Sequence, residues 1–285
     1  MGVAVVTPFL PDGSVDYPSL EALVESQIGG GADFLCVLGT TAETPCLSTD
    51  EKRQIAACVR RVARGRLPLL LGAGGNCTRS VIEGLRSTDL DGYQGVLIVA
   101  PYYNKPTQEG LYRHFAAVAE ASPLPVVLYN VPGRTGVNLE AATTLRIASE
   151  HENVVAIKEA SGNLAQIQAI LAAAPEGFEV LSGDDAITLD LLNLGATGVI
   201  SVVGNACPDT FSTLVHAARA GQADEARRLQ RRFEPLYPLM IADGNPAGVK
   251  CLLALQGKIA EVLRLPLVPA TAHTRQALQQ ALAAF

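Results

Sequence analysis

Several kinds of chemistry are missing from this 285-residue chain. Basic residues are outnumbered, 22 Lys and Arg against 28 Asp and Glu, for a net charge of −6 and no basic block. A role on nucleic acid or on an anionic membrane therefore has no electrostatic support. The first residues, Met1-Gly2-Val3-Ala4-Val5-Val6-Thr7-Pro8, lack a charged n-region, and no apolar run approaches the roughly 20 residues of a membrane span. A soluble, cytoplasmic protein is the expectation. The six cysteines show no C-x-x-C spacing, which points to reduced, mostly buried thiols. The four histidines stand singly at 114, 151, 216 and 273, without an H-E-x-x-H or Cys/His cluster. A metal site is not expected, and each histidine is read as lying on a helix surface. There is no G-x-S-x-G elbow for a serine triad, and neither glycine-rich phosphate motif is met. No Gly/Ser-rich linker or composition shift marks an independent second domain, and no short repeat is visible.

What is present is an alternation. Short β-rich runs at Val3–Phe9, Asp33–Leu38, Leu67–Gly72, Gly95–Ala100, Pro125–Tyr129, Val154–Glu159, Glu179–Ser182 and Gly198–Val202 are separated by helical patterns. Eight such units predict a (β/α)₈ barrel over residues 1–220, with a doubly wound sheet as the alternative. Helical segments at Ala223–Met240, Ala247–Leu263 and Thr271–Ala284 exceed barrel closure and predict a C-terminal helical extension, 221–285, packed on the barrel.

The run Val154-Val155-Ala156-Ile157-Lys158-Glu159-Ala160 is the informative one. Four apolar residues without polar alternation fit a strand covered on both faces. A period of two puts Val154, Ala156 and Lys158 on one face and Val155 and Ile157 on the other. Burial there disfavours an ammonium, leaving free amine to attack a carbonyl. Alternatively, Lys158 marks the strand end and reaches into water.

In a (β/α)₈ barrel, chemistry sits just past the strand ends. There the chain places Gly39-Thr40-Thr41-Ala42-Glu43, whose turn can offer N–H groups and hydroxyls to a carboxylate. It also places Tyr102-Tyr103, then Tyr129-Asn130 followed by Arg134, a tyrosine able to relay protons and an arginine able to take a carboxylate bidentately. In isolation each has a plain structural explanation: a turn and cap, a core tyrosine, a solvated arginine. Gly183-Asp184-Asp185 reads as the start of a helix.

Together, GTTAE at 39–43, PYYNKPTQEGLYRHF at 101–115, YNVPGRTG at 129–136, IKEASGN at 157–163, SGDD at 182–185 and GVISV at 198–202 closely resemble the dihydrodipicolinate synthase family. These enzymes are pyruvate-dependent Schiff-base lyases on a (β/α)₈ barrel, acting in diaminopimelate and lysine biosynthesis, and Asn245-Pro246 fits the pattern too. The resemblance implies that Lys158 forms an imine with pyruvate, whose enamine attacks L-aspartate 4-semialdehyde. It implies that Tyr129 relays protons, linked through Thr41 to a Tyr103 supplied across a tight dimer interface. Thr40 and Thr41 would hold the pyruvate carboxylate, Arg134 the aldehyde substrate's carboxylate, and Gly183 and Ile200 would line the site through their backbone. No cofactor or metal is implied, and the assembly would be a homotetramer of tight dimers.

Two departures stand out. Ala42 replaces a glycine usual in the family, which predicts tolerance with a slight shift of the turn. The positions matching the lysine-feedback site hold Thr49, Lys52 and Ser80 instead of histidines and a glutamate, which predicts weak or no inhibition by lysine, although Asn76 and Tyr102 survive. Other aldolases of the same scaffold, of N-acetylneuraminate, 2-keto-3-deoxygluconate or 4-hydroxy-2-oxoglutarate type, share the lysine and tyrosine; Thr40-Thr41 with Arg134 argues against them. A non-catalytic keto-acid-binding barrel is the remaining alternative.

Overall fold

A computed structural model describes residues Met1–Phe285. Eight parallel strands alternate with helices and close in chain order: β1 (Gly2–Ala4), β2 (Phe34–Val37), β3 (Leu69–Gly72), β4 (Gly95–Val99), β5 (Val126–Asn130), β6 (Val154–Glu159), β7 (Glu179–Ser182) and β8 (Gly198–Ser201). The (β/α)₈ barrel is thus the fold, not the doubly wound sheet. No helix is long and apolar enough to cross a membrane.

The chain divides into two compact units. One comprises Met1–Pro68 with Ser201–Phe285, the other Leu69–Ile200.

In the first unit, β1 is shorter than the expected Val3–Phe9. After Ala4 only Val5 N–H still reaches Cys36 O, at 3.0 Å. Pro8 then has no donor to continue a ladder, and the chain turns back through an antiparallel bridge between Phe9 and Val15. The helix Thr49–Ala63 starts on a capping box: Ser48 Oγ accepts from Glu51 N–H at 3.2 Å, and Glu51 Oε2 accepts from Ser48 N–H at 2.9 Å. The expected helix Ala223–Met240 is two pieces, Ala223–Phe233 and Tyr237–Ile241, because Pro235 cannot donate to the preceding turn. The expected Ala247–Leu263 stops at Leu255, just before Gly257 in the left-handed region (φ 72°). The last helix, Ala272–Ala284, follows the expected Thr271–Ala284 closely, with Thr271 as its N-cap.

In the second unit, the strands' outward residues Val96, Ile98, Val126, Leu128, Ile157 and Val180 pack with helical Leu85, Leu111, Phe115 and Ile170 into one buried core. Phe115 is among the largest side chains wholly withdrawn from water. Val154 joins this core as well, which corrects the simple alternation. The β5–β6 register runs Val126↔Val154, then Val127↔Ala156, so Val155 is an extra residue and the faces invert across it. The irregularity leaves Ala156 and Lys158 on one face and moves Val154 to the other.

Candidate active site

Lys158 and Tyr129 are register partners near the ends of β6 and β5. Both are buried, 5% and 6% exposed, so the reading of Lys158 as a solvated strand end is wrong. The Lys158 Nζ lies 4.5 Å from the centre of the Tyr129 ring. A cation held there gains about 0.5–2 kcal/mol from the ring face. The amine and the tyrosine side chain are therefore buried side by side in low dielectric, where an amine can attack a carbonyl with a proton-carrying residue at hand.

Gly183, just after β7, borders Lys158 directly. A Cβ at that position would stand 3.1 Å from Lys158 Cε and 2.6 Å from Ala160 Cβ. The lysine's stem thus occupies space that only a glycine leaves open, and Gly183 N–H is itself fixed on Glu159 O at 2.8 Å. Ile200, on β8, is buried. The Asp184-Asp185 pair does not open a helix as expected. Asp184 instead closes a turn, its Oδ1 accepting from Ala186 N–H at 2.9 Å, and the helix begins at Thr188.

Arg134 sits in the short helix Pro132–Thr135 that follows β5, with its side chain toward solvent. Tyr103 is 87% exposed and almost unpacked against its own chain. Its backbone is held in the left-handed region (φ 76°), and its N–H bonds Thr135 O at 3.2 Å, which ties the tyrosine loop to the Arg134 segment. A single chain therefore does not bury Tyr103 as it buries Tyr129 and Lys158.

The Thr40–Ala42 turn belongs to the other unit and follows β2 as a single 3₁₀ turn. Thr41 is buried, and its Oγ1 accepts from Asn245 Nδ2 at 3.0 Å. Thr7 Oγ1 donates to Ala42 O at 2.8 Å. The residue that needs left-handed backbone is Glu43 (φ 55°), not Ala42, so the alanine methyl adds no backbone strain to the turn.

Glu43 itself was legible only as part of a motif. Its carboxylate forms a wholly buried ion pair with Lys250. Lys250 Nζ also donates to Val262 O at 2.9 Å and lies 4.1 Å from the Phe9 ring centre. Glu43 Oε2 accepts from Arg264 N–H at 3.0 Å. Burial pushes the Lys250 amine down to about 8, with Glu43 pulling the other way. Arg264 in turn holds Glu51, whose carboxyl is lowered to about 2 mainly by that guanidinium. The signal for Lys250 was present: like Lys158, it is a lone lysine in an apolar run, Ala247–Leu255. Of the other lone residues, His114 is buried rather than on a helix surface, with Nδ1 2.9 Å from Thr78 Oγ1. All six cysteines are free thiols; four are buried, Cys46 is half-buried and Cys77 exposed.

With this geometry in view, comparison with known proteins is decisive. The profile of the dihydrodipicolinate synthetase family matches residues 1–285. The chain belongs to that family. Dihydrodipicolinate synthetases are enzymes, and they are lyases. A 4-hydroxy-tetrahydrodipicolinate synthase from Parabacteroides distasonis is 54% identical over 282 residues, covering 99% of this chain and 95% of the relative. The crystal structure of dihydrodipicolinate synthase from Thermotoga maritima is similar with a TM-score of 0.97 and 41% identity, over 99% of this chain and 97% of that one. A chloride-inhibited dihydrodipicolinate synthase from Acinetobacter baumannii, solved with pyruvate bound, is similar with a TM-score of 0.95 and 42% identity, over 99% and 97% of the two chains.

Proposed function

We propose that this chain condenses pyruvate with L-aspartate 4-semialdehyde as a 4-hydroxy-tetrahydrodipicolinate synthase of diaminopimelate and lysine biosynthesis, through an imine on Lys158. The observation that carries the reading is the burial of Lys158 with its Nζ 4.5 Å from the Tyr129 ring centre, in a family whose Acinetobacter baumannii member binds pyruvate.

The steps follow from the groups present. The Lys158 amine adds to the keto carbon of pyruvate, and loss of water leaves a protonated imine. That cation draws electrons from the methyl group, which gives up a proton to become an enamine carbon nucleophile. The enamine attacks the aldehyde carbon of the second substrate, whose oxygen takes up a proton. The second substrate's own amine then displaces Lys158 and closes the ring. Tyr129 moves the protons, with Thr41 and a Tyr103 from a second copy of the chain extending the relay. Thr40 and Thr41 receive the pyruvate carboxylate, Arg134 that of the aldehyde substrate, and Gly183 and Ile200 line the site.

In this reading, residues 1–220 carry the catalytic barrel. The extension, 221–285, supplies Asn245 to the Thr41 hydroxyl and Lys250 to Glu43 at the end of the same turn. The exposure of Tyr103 suits its burial by a second copy in a tight dimer, and the reading is completed by pairing such dimers as a homotetramer in the cytoplasm. Weak or absent inhibition by lysine follows from Thr49, Lys52 and Ser80.

The test is acceptor choice. With pyruvate fixed, purified protein should consume L-aspartate 4-semialdehyde far faster than N-acetylmannosamine or glyceraldehyde. Preference for a sugar aldehyde would reassign it to another lyase of the scaffold, and pyruvate binding without turnover of any acceptor would favour a non-catalytic keto-acid binder.

A further inference from the structure

One residue beyond Tyr129 and Lys158 in the same register come Asn130 and Glu159. Alternation turns these side chains to the opposite face of the sheet from the amine and the phenol, on the side of Leu128 and Ile157, and both are fully buried. Asn130 Nδ2 donates to both Glu159 carboxylate oxygens, at 3.2 and 3.1 Å. Ser161 N–H donates to Glu159 Oε1 at 2.7 Å and Gln166 Nε2 to Oε2 at 3.0 Å. Asn130 Oδ1 accepts from Leu139 N–H at 2.9 Å, and Asn138 Oδ1 accepts from Asn130 Nδ2 at 2.9 Å. One cluster thus links the ends of two strands to the segment that follows Arg134.

Its composition is informative. The hydrogen-bond donors to the Glu159 carboxylate are amides throughout, so a buried carboxylate is met by N–H groups rather than by an ion pair. An apolar pair of similar volume would hold β5 to β6 without that desolvation cost. What the polar pair adds is direction: one amide nitrogen bridging two carboxylate oxygens narrows the separation and tilt the two strands accept, whereas apolar contacts accept many.

We infer that Asn130 and Glu159 are positioning residues for the imine chemistry, setting the separation of Lys158 and Tyr129 from behind the sheet and, through Asn138 and Leu139, anchoring the segment that carries Arg134. The inference rests on the Schiff-base reading above. A misplacement of about 1 Å between reacting groups is enough to slow a reaction by orders of magnitude, so loosening this pair acts on rate.

The experiment compares wild type with Asn130→Ala, Glu159→Gln, the double variant, and Gln166→Leu at a part-buried position, which removes the bond to Oε2 together with the Gln166 bonds to Asn138 and Leu139 O. Each is checked for folding by circular dichroism at the assay temperature. The rate of borohydride-trapped pyruvate imine, kcat, and KM for both substrates are then measured. Folded single variants should lose about tenfold or more in kcat and in imine formation, with pyruvate KM changed far less, as loss of orientation rather than of binding requires. The double variant should fall no further than the worse single one, because either change breaks the same link. Should the stronger variants not fold, Gln166→Leu should still slow imine formation a few-fold. Variants that melt earlier yet keep the wild-type imine rate and kcat per folded molecule would overturn the inference and leave a purely structural pair. No trapped imine in the wild type would instead overturn the Schiff-base reading, and the inference with it.

Discussion

Replacing Lys250 by methionine tests the second buried lysine. Methionine matches the length of the stem but leaves the fully buried Glu43 carboxylate held by Arg264 N–H, at 3.0 Å, without its ammonium partner. Breaking a buried ion pair from one side costs about 3–5 kcal/mol. With a melting entropy of about 2.1 cal/mol/K per residue, a 285-residue chain loses about 0.6 kcal/mol per degree, so melting should fall by about 5–8 °C. Scanning calorimetry at pH 7 reads this directly. The amine lies at about 8 because burial outweighs Glu43's attraction, so the intact pair is itself costly to bury. Making Glu43 neutral as well, in Lys250→Met/Glu43→Gln, should therefore recover much of the loss. Because Glu43 closes the Thr40–Ala42 turn, Lys250→Met should also raise the KM for pyruvate. A single variant melting within about 2 °C of wild type, or a double variant worse than the single, would refute the reasoning.

His114 is pushed down to about 4 by burial, so the unfolded chain takes up its proton first as pH falls. Its contribution is present above pH 6.5 and lost between about 6.5 and 4, at most about 3 kcal/mol, and His114→Gln should flatten the stability curve in that window. Equal slopes for the two proteins would contradict this. Tyr103→Phe should cut turnover while leaving the melting temperature unchanged, since the side chain is 87% exposed in the single chain; undiminished turnover would remove it from the relay. Initial rates should change little on adding excess L-lysine, and strong inhibition would mean that Thr49, Lys52 and Ser80 build an effector site by other contacts.

The barrel was legible because eight β-branched runs stand out from helical patterns. Their ends were less so: β1 stops at Ala4, and the Pro235 break and Gly257 stop sit inside patterns that looked continuous. On β6, period-two reasoning placed Lys158 and Ala156 together correctly but put Val154 with them, since a bulge at Val155 depends on the partner strand and leaves no local trace. Lys158 and Lys250 show the limit most clearly. Both are lone lysines in apolar runs, and the same argument from burial applies to each. One lies over a tyrosine ring beside the end of its strand, the other is locked onto Glu43, and only the tertiary partner separates the proposed nucleophile from a brace. The Asn130–Glu159 pair escaped notice because its residues are ordinary neighbours of the conspicuous ones, and their pairing is a matter of register.

The most direct test of the central claim is chemical trapping. Incubating the protein with pyruvate and borohydride, then mapping peptides by mass spectrometry, should place a reduced pyruvate adduct on Lys158 alone, with none in Lys158→Ala and none on Lys250. Absence of an adduct, or an adduct on another lysine with activity lost in step, would contradict the assignment.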